Sequence, residues 1–407
     1  MRSPAAPAGH NGIRRLSTMN RSLTRWWALG SRLPAPIRRG VNALPGVAAL
    51  RTRAMQAPGG PNPQPGALRP VVYLPTWVQW DVMRQRPQFL LAAFAASGHD
   101  VYFVDPRETA PRVCDGVSIV PDLVAVPGRS PILYIHYAPL IALAERFGDP
   151  VILYDILDDI SIYAEDERGV PASRRVSTHH PRALARADVV TASAAQLQRR
   201  NSGTAGVPLL VPNGVDVARF ANPRRPPADL PVPSGARIGY HGAIAPWLDF
   251  ALIEAIAVAR PADQIVMVGP VLDGAADQVR VLERHDNVWL LGERPPDEIA
   301  SYVQAFDVGL VPFVVNQMTE AVSPLKMYEY LAAGLPVVAT RLPECVAHPL
   351  VRTARADGFL AELTLALEEG PTAEYSERAR IAAQEASWGN RIAMIRDRLA
   401  DIDRLRV

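Results

Sequence analysis

Residues 320–340 read Glu-Ala-Val-Ser-Pro-Leu-Lys-Met-Tyr-Glu-Tyr-Leu-Ala-Ala-Gly-Leu-Pro-Val-Val-Ala-Thr, the pattern of a loop, a helix, a turn and a strand. Ser323 belongs to the residue types that cap helix N-termini, and Pro324 suits the first helical position. Gly334 and Pro336 stop the helix before an apolar, β-branched run. The stretch therefore predicts a helix whose N-terminus lies at the edge of a parallel sheet where the strands end.

One face of this helix is polar, because Ser323, Lys326 and Glu329 recur every three residues. Free amides and the helix dipole attract a phosphate, and Lys326 adds a full positive charge in the first turn. Glu329 lies further along the same face, where its carboxylate can accept hydrogen bonds from ribose hydroxyls. The alternative is an exposed ion pair between Lys326 and Glu329, which would contribute about 0.3 kcal/mol.

Short apolar runs alternate with helical patterns from Val71 onward, as in parallel sheets. Six runs precede a Pro-rich linker that begins at Pro223, namely 71–74, 101–104, 132–135, 151–154, 189–191 and 209–211. Five follow it, namely 237–240, 265–268, 288–291, 308–311 and 337–339. We therefore predict an α/β fold in which two doubly wound Rossmann-like domains face a cleft.

The predicted boundaries divide the chain into four parts. Residues 1–69 form a basic leader, 70–222 a first domain, 223–386 a second domain, and 387–407 a helix. The helix repeats apolar residues on one face, so we expect it to dock back towards the first domain. The leader is rich in proline and arginine, a composition typical of disorder.

The charge of the chain is unevenly distributed. The 407 residues carry 43 basic and 41 acidic side chains, but residues 1–70 hold eleven arginines and no acid, so the remainder is acidic. Lys326 is the only lysine of the sequence. An acidic body argues against nucleic-acid binding, and the leader suggests a peripheral contact with an anionic membrane. Two distant cysteines argue against a disulfide scaffold and favour the cytoplasm.

Six segments carry motifs in a specific order: Ala187–Ser193, Pro212–Asp216, Asn287–Gly292, Asp307–Pro312, residues 320–340, and Ser387 with Trp388. From residue 71 to the end, the chain resembles GT-B glycosyltransferases, particularly the retaining family 4 (glycosyl transferases group 1) and its teichuronic-acid and exopolysaccharide relatives. The resemblance implies transfer of a sugar from a nucleoside diphosphate sugar to a carbohydrate or lipid-linked acceptor. It also implies retention of configuration, a role in cell-envelope synthesis, and no metal or other cofactor.

Two departures from the family pattern affect the donor side. The family has two glutamates separated by seven residues. If Glu329 is the second, the first would stand at position 321, which is Ala321 here, and Glu320 lies one residue before it. Glu320 remains a candidate for donor-sugar hydroxyls. The Arg and Lys-Gly positions after the first strand of the donor domain are also replaced, which leaves phosphate binding to Lys326 and to the close backbone approach that Gly242 permits.

The acceptor side is predicted at the end of the first strand, where five candidates lie: Trp77, Trp80, Asp81, Arg84 and Arg86. The tryptophans can stack on sugar rings, and the arginines can hold a lipid diphosphate. The alternative is that Trp80 packs in the core and that Arg86 is an ordinary residue at a helix start.

Three further residues are candidates for the catalytic base or for positioning the acceptor hydroxyl: Asp158, Asp159 and His136. Asp155 and Asp158 do not have the spacing of an Asp-x-Asp metal site. A helix-capping role for Asp158, or a hydrogen-bonded core histidine at His136, is the structural alternative.

The functional alternatives are a GT-B-like epimerase or phosphorylase and a non-catalytic nucleotide-sugar-binding protein, because fold does not fix chemistry.

Overall fold

The computed structural model describes residues 57–61, 67–74, 78–81, 84–159, 172–203, 205–232, 235–272 and 274–406. Most of the predicted leader, with its membrane contact, therefore lies outside the described residues. The described end of the leader contacts two parts of the body: the Gly60 amide donates to the Val126 carbonyl of the first domain at 2.9 Å, and Arg69 Nε donates to Asp403 of the C-terminal helix at 2.8 Å. These parts of the leader are thus packed against the body.

The first domain is built on an eight-stranded sheet of order β3-β4-β2-β1-β5-β6-β7-β8. Every pairing is parallel except that of β3 with β4. Its strands are β1 (Val71–Tyr73), β2 (Val101–Val104), β3 (Arg112–Cys114), β4 (Val117–Val120), β5 (Ile132–Ile135), β6 (Val151–Ile156), β7 (Val189–Ala192) and β8 (Leu209–Leu210).

The second domain is built on a fully parallel sheet of order β11-β10-β9-β12-β13-β14. Its strands are β9 (Arg237–His241), β10 (Gln264–Val268), β11 (Val288–Gly292), β12 (Val308–Val311), β13 (Val337–Thr340) and β14 (Val351–Ala354). Apolar residues dominate β10, β12 and β13, which are buried along their whole length, as is typical of the inner strands of a parallel sheet. The prediction of two doubly wound domains is confirmed.

The described α-helices connect the strands and close the chain. They are α1 (Arg86–Ala96), α2 (Ala172–Arg186), α3 (Ala195–Asn201), α4 (Val217–Ala221), α5 (Phe250–Ala259), α6 (Ala276–Leu282), α7 (Ile299–Val303), α8 (Leu325–Ala332), α9 (Pro343–Val346), α10 (Ala356–Glu369), α11 (Ala373–Glu385) and α12 (Trp388–Arg406). No helix among these is both long and apolar enough to cross a membrane.

Three strands were not predicted from the sequence: β3, β4 and β14. The hairpin of β3 and β4 turns at Asp115 and Gly116, whose φ angles are 51° and 75°. Both residues therefore occupy the left-handed region that a two-residue hairpin turn requires, and Asp-Gly is a sequence signal for such a turn. β14 lies at the sheet edge and is only partly buried, so its apolar pattern is weak.

Helix α8 begins at Leu325, one residue later than the sequence indicates. Pro324, not Ser323, occupies the N-cap position, so the prediction of Ser323 as the capping residue is wrong. The Ser323 hydroxyl instead accepts a hydrogen bond from the Asn213 amide at 3.1 Å. A contact with a residue 110 positions earlier in the chain thus replaces the local one.

Helix α12 packs against the first domain. Trp388, Ile392, Ile395 and Leu399 join the core formed by α1 and one face of the first sheet. At the crossing point the Val215 amide donates to the Ala386 carbonyl at 3.1 Å. The C-terminus therefore ties the second domain to the first.

The two domains also touch at the opposite side of the cleft. Ala321, just before α8, is fully buried in the core on the other face of the first sheet. Glu344 accepts a hydrogen bond from the Ala195 amide at 2.7 Å, and Arg200 donates to the Gln317 carbonyl at 3.1 Å. Contacts on both sides therefore fix the width of the cleft.

The docking of α12 can be tested by truncating its buried face. Ile395 is 0% exposed, so Ile395→Ala should lower the stability of the protein by about 2–4 kcal/mol, through lost burial and a cavity. Thermal unfolding followed by circular dichroism measures the change. Ile381→Ala is the matched control, because Ile381 is 52% exposed and its truncation should cost less than about 0.5 kcal/mol. Equal effects of the two substitutions would contradict the docking.

Candidate functional site

A cavity of about 860 Å³ lies between the carboxyl ends of the two sheets. From the second domain it is lined by the residues that follow β9 to β12 and by the first turn of α8. From the first domain it is lined by the start of α1 and by the loop after β6. Parallel α/β sheets bind ligands at this position, outside the carboxyl ends of their strands.

Lys326 projects its ammonium into a wall of aromatic rings in this cavity. Nζ lies 4.8 Å from the ring centroid of Phe313 and 5.3 Å from that of Tyr240. The ring faces attract the cation, but Lys326 makes no salt bridge with any residue that the structure describes. Burial lowers the pKa of Lys326 to about 8, although the negative charge of Glu329 acts to raise it. The arrangement leaves a positive charge available to an anion.

Gly242 gives this ammonium its space. Its φ of 118° lies in a region that other residues rarely adopt, and a Cβ atom there would lie 3.3 Å from Lys326 Cε. The Gly242 amide donates to the Val268 carbonyl at 2.9 Å, which holds the loop against β10. The Gly242 backbone, the lysine and the first turn of α8 thus line the same part of the cavity. That they bind a phosphate there stays a prediction.

Glu329 lines the cavity next to His241, a residue that the sequence reasoning did not select. His241 Nε2 lies 3.0 Å from Glu329 Oε2, but the two atoms are not aligned as a hydrogen bond requires. The His241 amide donates to the Tyr330 hydroxyl at 3.2 Å, which fixes the end of β9 against α8. The available signal was that His241 immediately precedes Gly242 at a strand end.

The two other donor candidates differ in position. Ser323 lines the cavity, but Asn213 occupies both of its oxygens: Asn213 Nδ2 donates to the Ser323 carbonyl at 2.6 Å, and the Asn213 amide to its hydroxyl. Glu320 is not among the residues that line the cavity. It belongs to the short 3₁₀ turn of Thr319–Ala321, which packs against the first domain.

Of the three candidates for the catalytic base, Asp158 alone lines the cavity. Burial, together with the charges of Asp159 and Asp155, raises the pKa of Asp158 to about 6, against the opposing charge of Arg86. Asp159 forms a salt bridge with Arg200. His136 is buried beside Tyr73, whose hydroxyl lies 2.9 Å from Nδ1. Burial lowers the pKa of His136 to about 4. The three candidates therefore have different environments: Asp158 faces the cavity, Asp159 is paired with Arg200, and His136 is buried beside Tyr73.

The acceptor candidates are likewise divided. Trp80 is 1% exposed and packs edge-on against Phe103, so its ring is not open to a sugar. Arg86 is buried and donates two hydrogen bonds to Asp155, at 2.8 and 3.0 Å, so its guanidinium is not available to a lipid diphosphate. Trp77 lies outside the described residues. The core role that the sequence left open for Trp80 is the one observed.

Asp81 and Arg84 remain at the rim of the cavity. Asp81 pairs with Arg112 at 2.6 Å, and Arg84 pairs with Asp115 at 2.7 Å. These ion pairs are partly exposed, so they contribute little to stability and can rearrange around a ligand. Among the residues that the structure describes, no three His, Cys, Asp or Glu side chains are grouped as they would be around a metal ion.

Comparisons with known proteins agree with this geometry. Residues 235–368 match the family model of glycosyl transferases group 1. The chain is 31% identical over 219 residues to TuaH of Bacillus subtilis (strain 168), a protein assigned to teichuronic acid biosynthesis as a glycosyltransferase. The match covers 51% of this chain and 55% of TuaH, so the chain spans about half the length of this curated relative.

Solved structures of low sequence identity share the fold of both domains. A sucrose-phosphate synthase of Thermosynechococcus elongatus superposes with a TM-score of 0.62 at 17% identity, covering 83% of this chain and all of that one. Anabaena HepE, solved in complex with UDP and glucose, superposes with a TM-score of 0.58 at 17% identity, covering 82% of this chain and all of that one.

The fold is that of the GT-B glycosyltransferases, as the resemblance implied. The part of the chain that matches the model of glycosyl transferases group 1, residues 235–368, is also the part that supplies Lys326, Glu329 and Gly242.

The environment of Lys326 can be measured directly, because this residue is the only lysine of the sequence. Selective ¹³C-lysine labelling should give a single side-chain signal, whose chemical shift titrates with a midpoint near 8. Below that pH the ammonium is charged, and above it the amine is neutral. The urea-unfolded protein serves as the control, with a midpoint near the ordinary lysine value of about 10.4. A folded-state midpoint equal to the unfolded one would contradict the buried placement.

Proposed function

We propose that this protein is a glycosyltransferase that moves a sugar from a nucleoside diphosphate sugar to a carbohydrate or lipid-linked acceptor. The observation that carries the proposal is the convergence of Lys326, Gly242 and the N-terminus of α8 on one cavity between the two sheets. A positive charge that forms no salt bridge with a described residue, beside free helix amides, suits a diphosphate. The likenesses to TuaH and to a UDP complex of HepE support this class of donor.

The cavity allows the donor to be oriented. Glu329 and His241 lie one turn of α8 beyond Lys326, where a carboxylate can accept hydrogen bonds from the ribose hydroxyls. The nucleobase would then lie towards the loop after β11, whose residues Arg294 and Pro295 line the cavity. The transferred sugar would lie on the other side of the diphosphate, towards Asp158 and the first domain.

Cleavage of the bond between the sugar and the diphosphate leaves negative charge on the phosphate. Lys326 and the first-turn amides of α8 would stabilise that charge without rearrangement, as preorganised positive groups do. Asp158 would accept the proton of the acceptor hydroxyl or position that hydroxyl. Its raised pKa keeps it a stronger base than an ordinary aspartate while it remains ionised at neutral pH.

We further propose that the acceptor belongs to cell-envelope or exopolysaccharide synthesis and that the anomeric configuration is retained. The likeness to TuaH supports the first statement, and the resemblance to family 4 supports the second. Product analysis by NMR with a panel of nucleoside diphosphate sugars tests the class of reaction. Sugar transfer or slow donor hydrolysis supports a transferase, interconversion of free nucleotide sugars would indicate an epimerase, and binding without turnover would indicate a binding protein.

The donor site is tested by removing its charge. Lys326→Met keeps a side chain of similar length and should weaken UDP binding by about tenfold to a hundredfold, because charge-assisted contacts to phosphate contribute about 1.5–3 kcal/mol. Isothermal titration calorimetry measures the affinity. Arg284→Met is the control, since it removes an exposed positive charge of the same domain outside the cavity lining. Unchanged affinity of Lys326→Met would remove Lys326 from the donor site.

The role of Asp158 is tested separately from donor binding. Asp158→Asn should reduce the rate of transfer by about 10²–10⁴-fold if the carboxylate acts on the proton, while UDP affinity stays near that of the wild type. Asp100→Asn is the control, because Asp100 is exposed in the same domain and lies outside the cavity lining. A transfer rate equal to that of the control would show that the acceptor is activated elsewhere.

A further inference from the structure

Asn213 uses its backbone and side chain to connect three parts of the protein. Its amide and Nδ2 donate to the Ser323 hydroxyl and carbonyl, at 3.1 and 2.6 Å, directly before α8. Its Oδ1 accepts from Arg86 Nη1 at 3.3 Å, and its carbonyl accepts from Arg391 Nε at 3.1 Å. Asn213 thus contacts α1 of the first domain, the C-terminal helix α12 and the segment directly before the donor-side helix α8.

The partner on the first domain is rigid. Arg86 is held by two hydrogen bonds to Asp155, which also accepts from Tyr134 at 2.7 Å and from Thr191 at 2.6 Å. Burial raises the pKa of this carboxyl, but the Arg86 charge and these hydrogen bonds outweigh burial and lower it. A buried, fully bonded ion pair of this kind fixes the guanidinium in one place. Asn213 is therefore anchored on a fixed point of the first sheet.

The partner on the second domain is the segment that determines where Lys326 lies. Ser323 lies three residues before Lys326, and Pro324 between them restricts the backbone to few conformations. Displacement of the Ser323 carbonyl therefore moves the first turn of α8 as a unit. The same turn provides the free amides and the ammonium of the anion site.

We propose that Asn213 is a positioning residue that fixes the first turn of α8, and with it Lys326, relative to the first domain. The anion site is then complete only while the two domains hold the arrangement that Asn213 bridges. The placement of Lys326 follows from the contacts alone, and only its consequence for UDP rests on the proposed function.

The substitution Asn213→Asp should keep the contact of residue 213 with Arg86 and break its side-chain hydrogen bond to Ser323. The new carboxylate keeps an acceptor for Arg86 and gains charge attraction to it, so the contact with the first domain is retained. On the other side, an oxygen replaces Nδ2 opposite the Ser323 carbonyl, where two acceptors repel each other. The variant should therefore stay folded while releasing the start of α8.

The first test needs no ligand. In ¹³C-lysine-labelled protein, Asn213→Asp should move the Lys326 signal, because the ring-face contacts with Phe313 and Tyr240 change. Asn222→Asp is the matched control: Asn222 is exposed, lies outside the cavity lining, and should leave the signal unchanged. If Asn213→Asp fails to fold, Ser323→Ala removes one of the two hydrogen bonds and should move the same signal. A lysine signal identical to wild type in the folded variant would overturn the proposal.

The second test asks whether Asn213 acts through Lys326. We expect Asn213→Asp to weaken UDP binding about tenfold in the wild-type background, but by less than about threefold in the Lys326→Met background, because coupled residues are not additive. The same loss in both backgrounds would overturn the proposal, since a general structural role is additive. Wild-type protein that does not bind UDP at all would contradict the proposed function instead, and the lysine signal would still decide the role of Asn213.

Discussion

A single lysine ammonium, held over two aromatic rings with no salt bridge to a described residue, is the interaction on which the candidate site depends. Partial burial makes its charge costly, and the faces of Phe313 and Tyr240 offset only part of that cost. A bound anion would offset the rest of the cost, which is the physical reason for the proposed diphosphate site. Under the proposed function, the remaining features of the cavity would hold Lys326 in place or bring the acceptor to it.

The contacts between the domains lie on both sides of the cavity that contains Lys326. On one side Asn213 joins Arg86, Arg391 and Ser323, and on the other Glu344 caps the start of α3 while Arg200 reaches the Gln317 carbonyl. Ala321 is buried in the first domain by the same contacts. The position at which the family pattern expects a glutamate is thus a packing position here, which accounts for the small residue found there.

The sequence was sufficient for local features and insufficient for distant ones. The strands other than β3, β4 and β14, the helix α12, and the location of Lys326 and Glu329 on α8 were predictable because their signals lie within one helix or one strand. Asn213 was noticed only as part of a motif, since its partner Ser323 is 110 residues away. Trp80 and Arg86 were assigned to the acceptor because they follow a strand, but burial and the ion pair with Asp155 depend on the tertiary structure. His241 was missed for the same reason, because Glu329 approaches it from another element.

The structure of a complex with UDP tests the central claim most directly. The account predicts that an oxygen of the β-phosphate lies within hydrogen-bond distance of Lys326 Nζ, about 2.7–3.2 Å, with the phosphates at the first turn of α8 and the ribose next to Glu329. UDP bound in this cavity with its phosphates turned away from Lys326, or bound elsewhere on the protein, would contradict it.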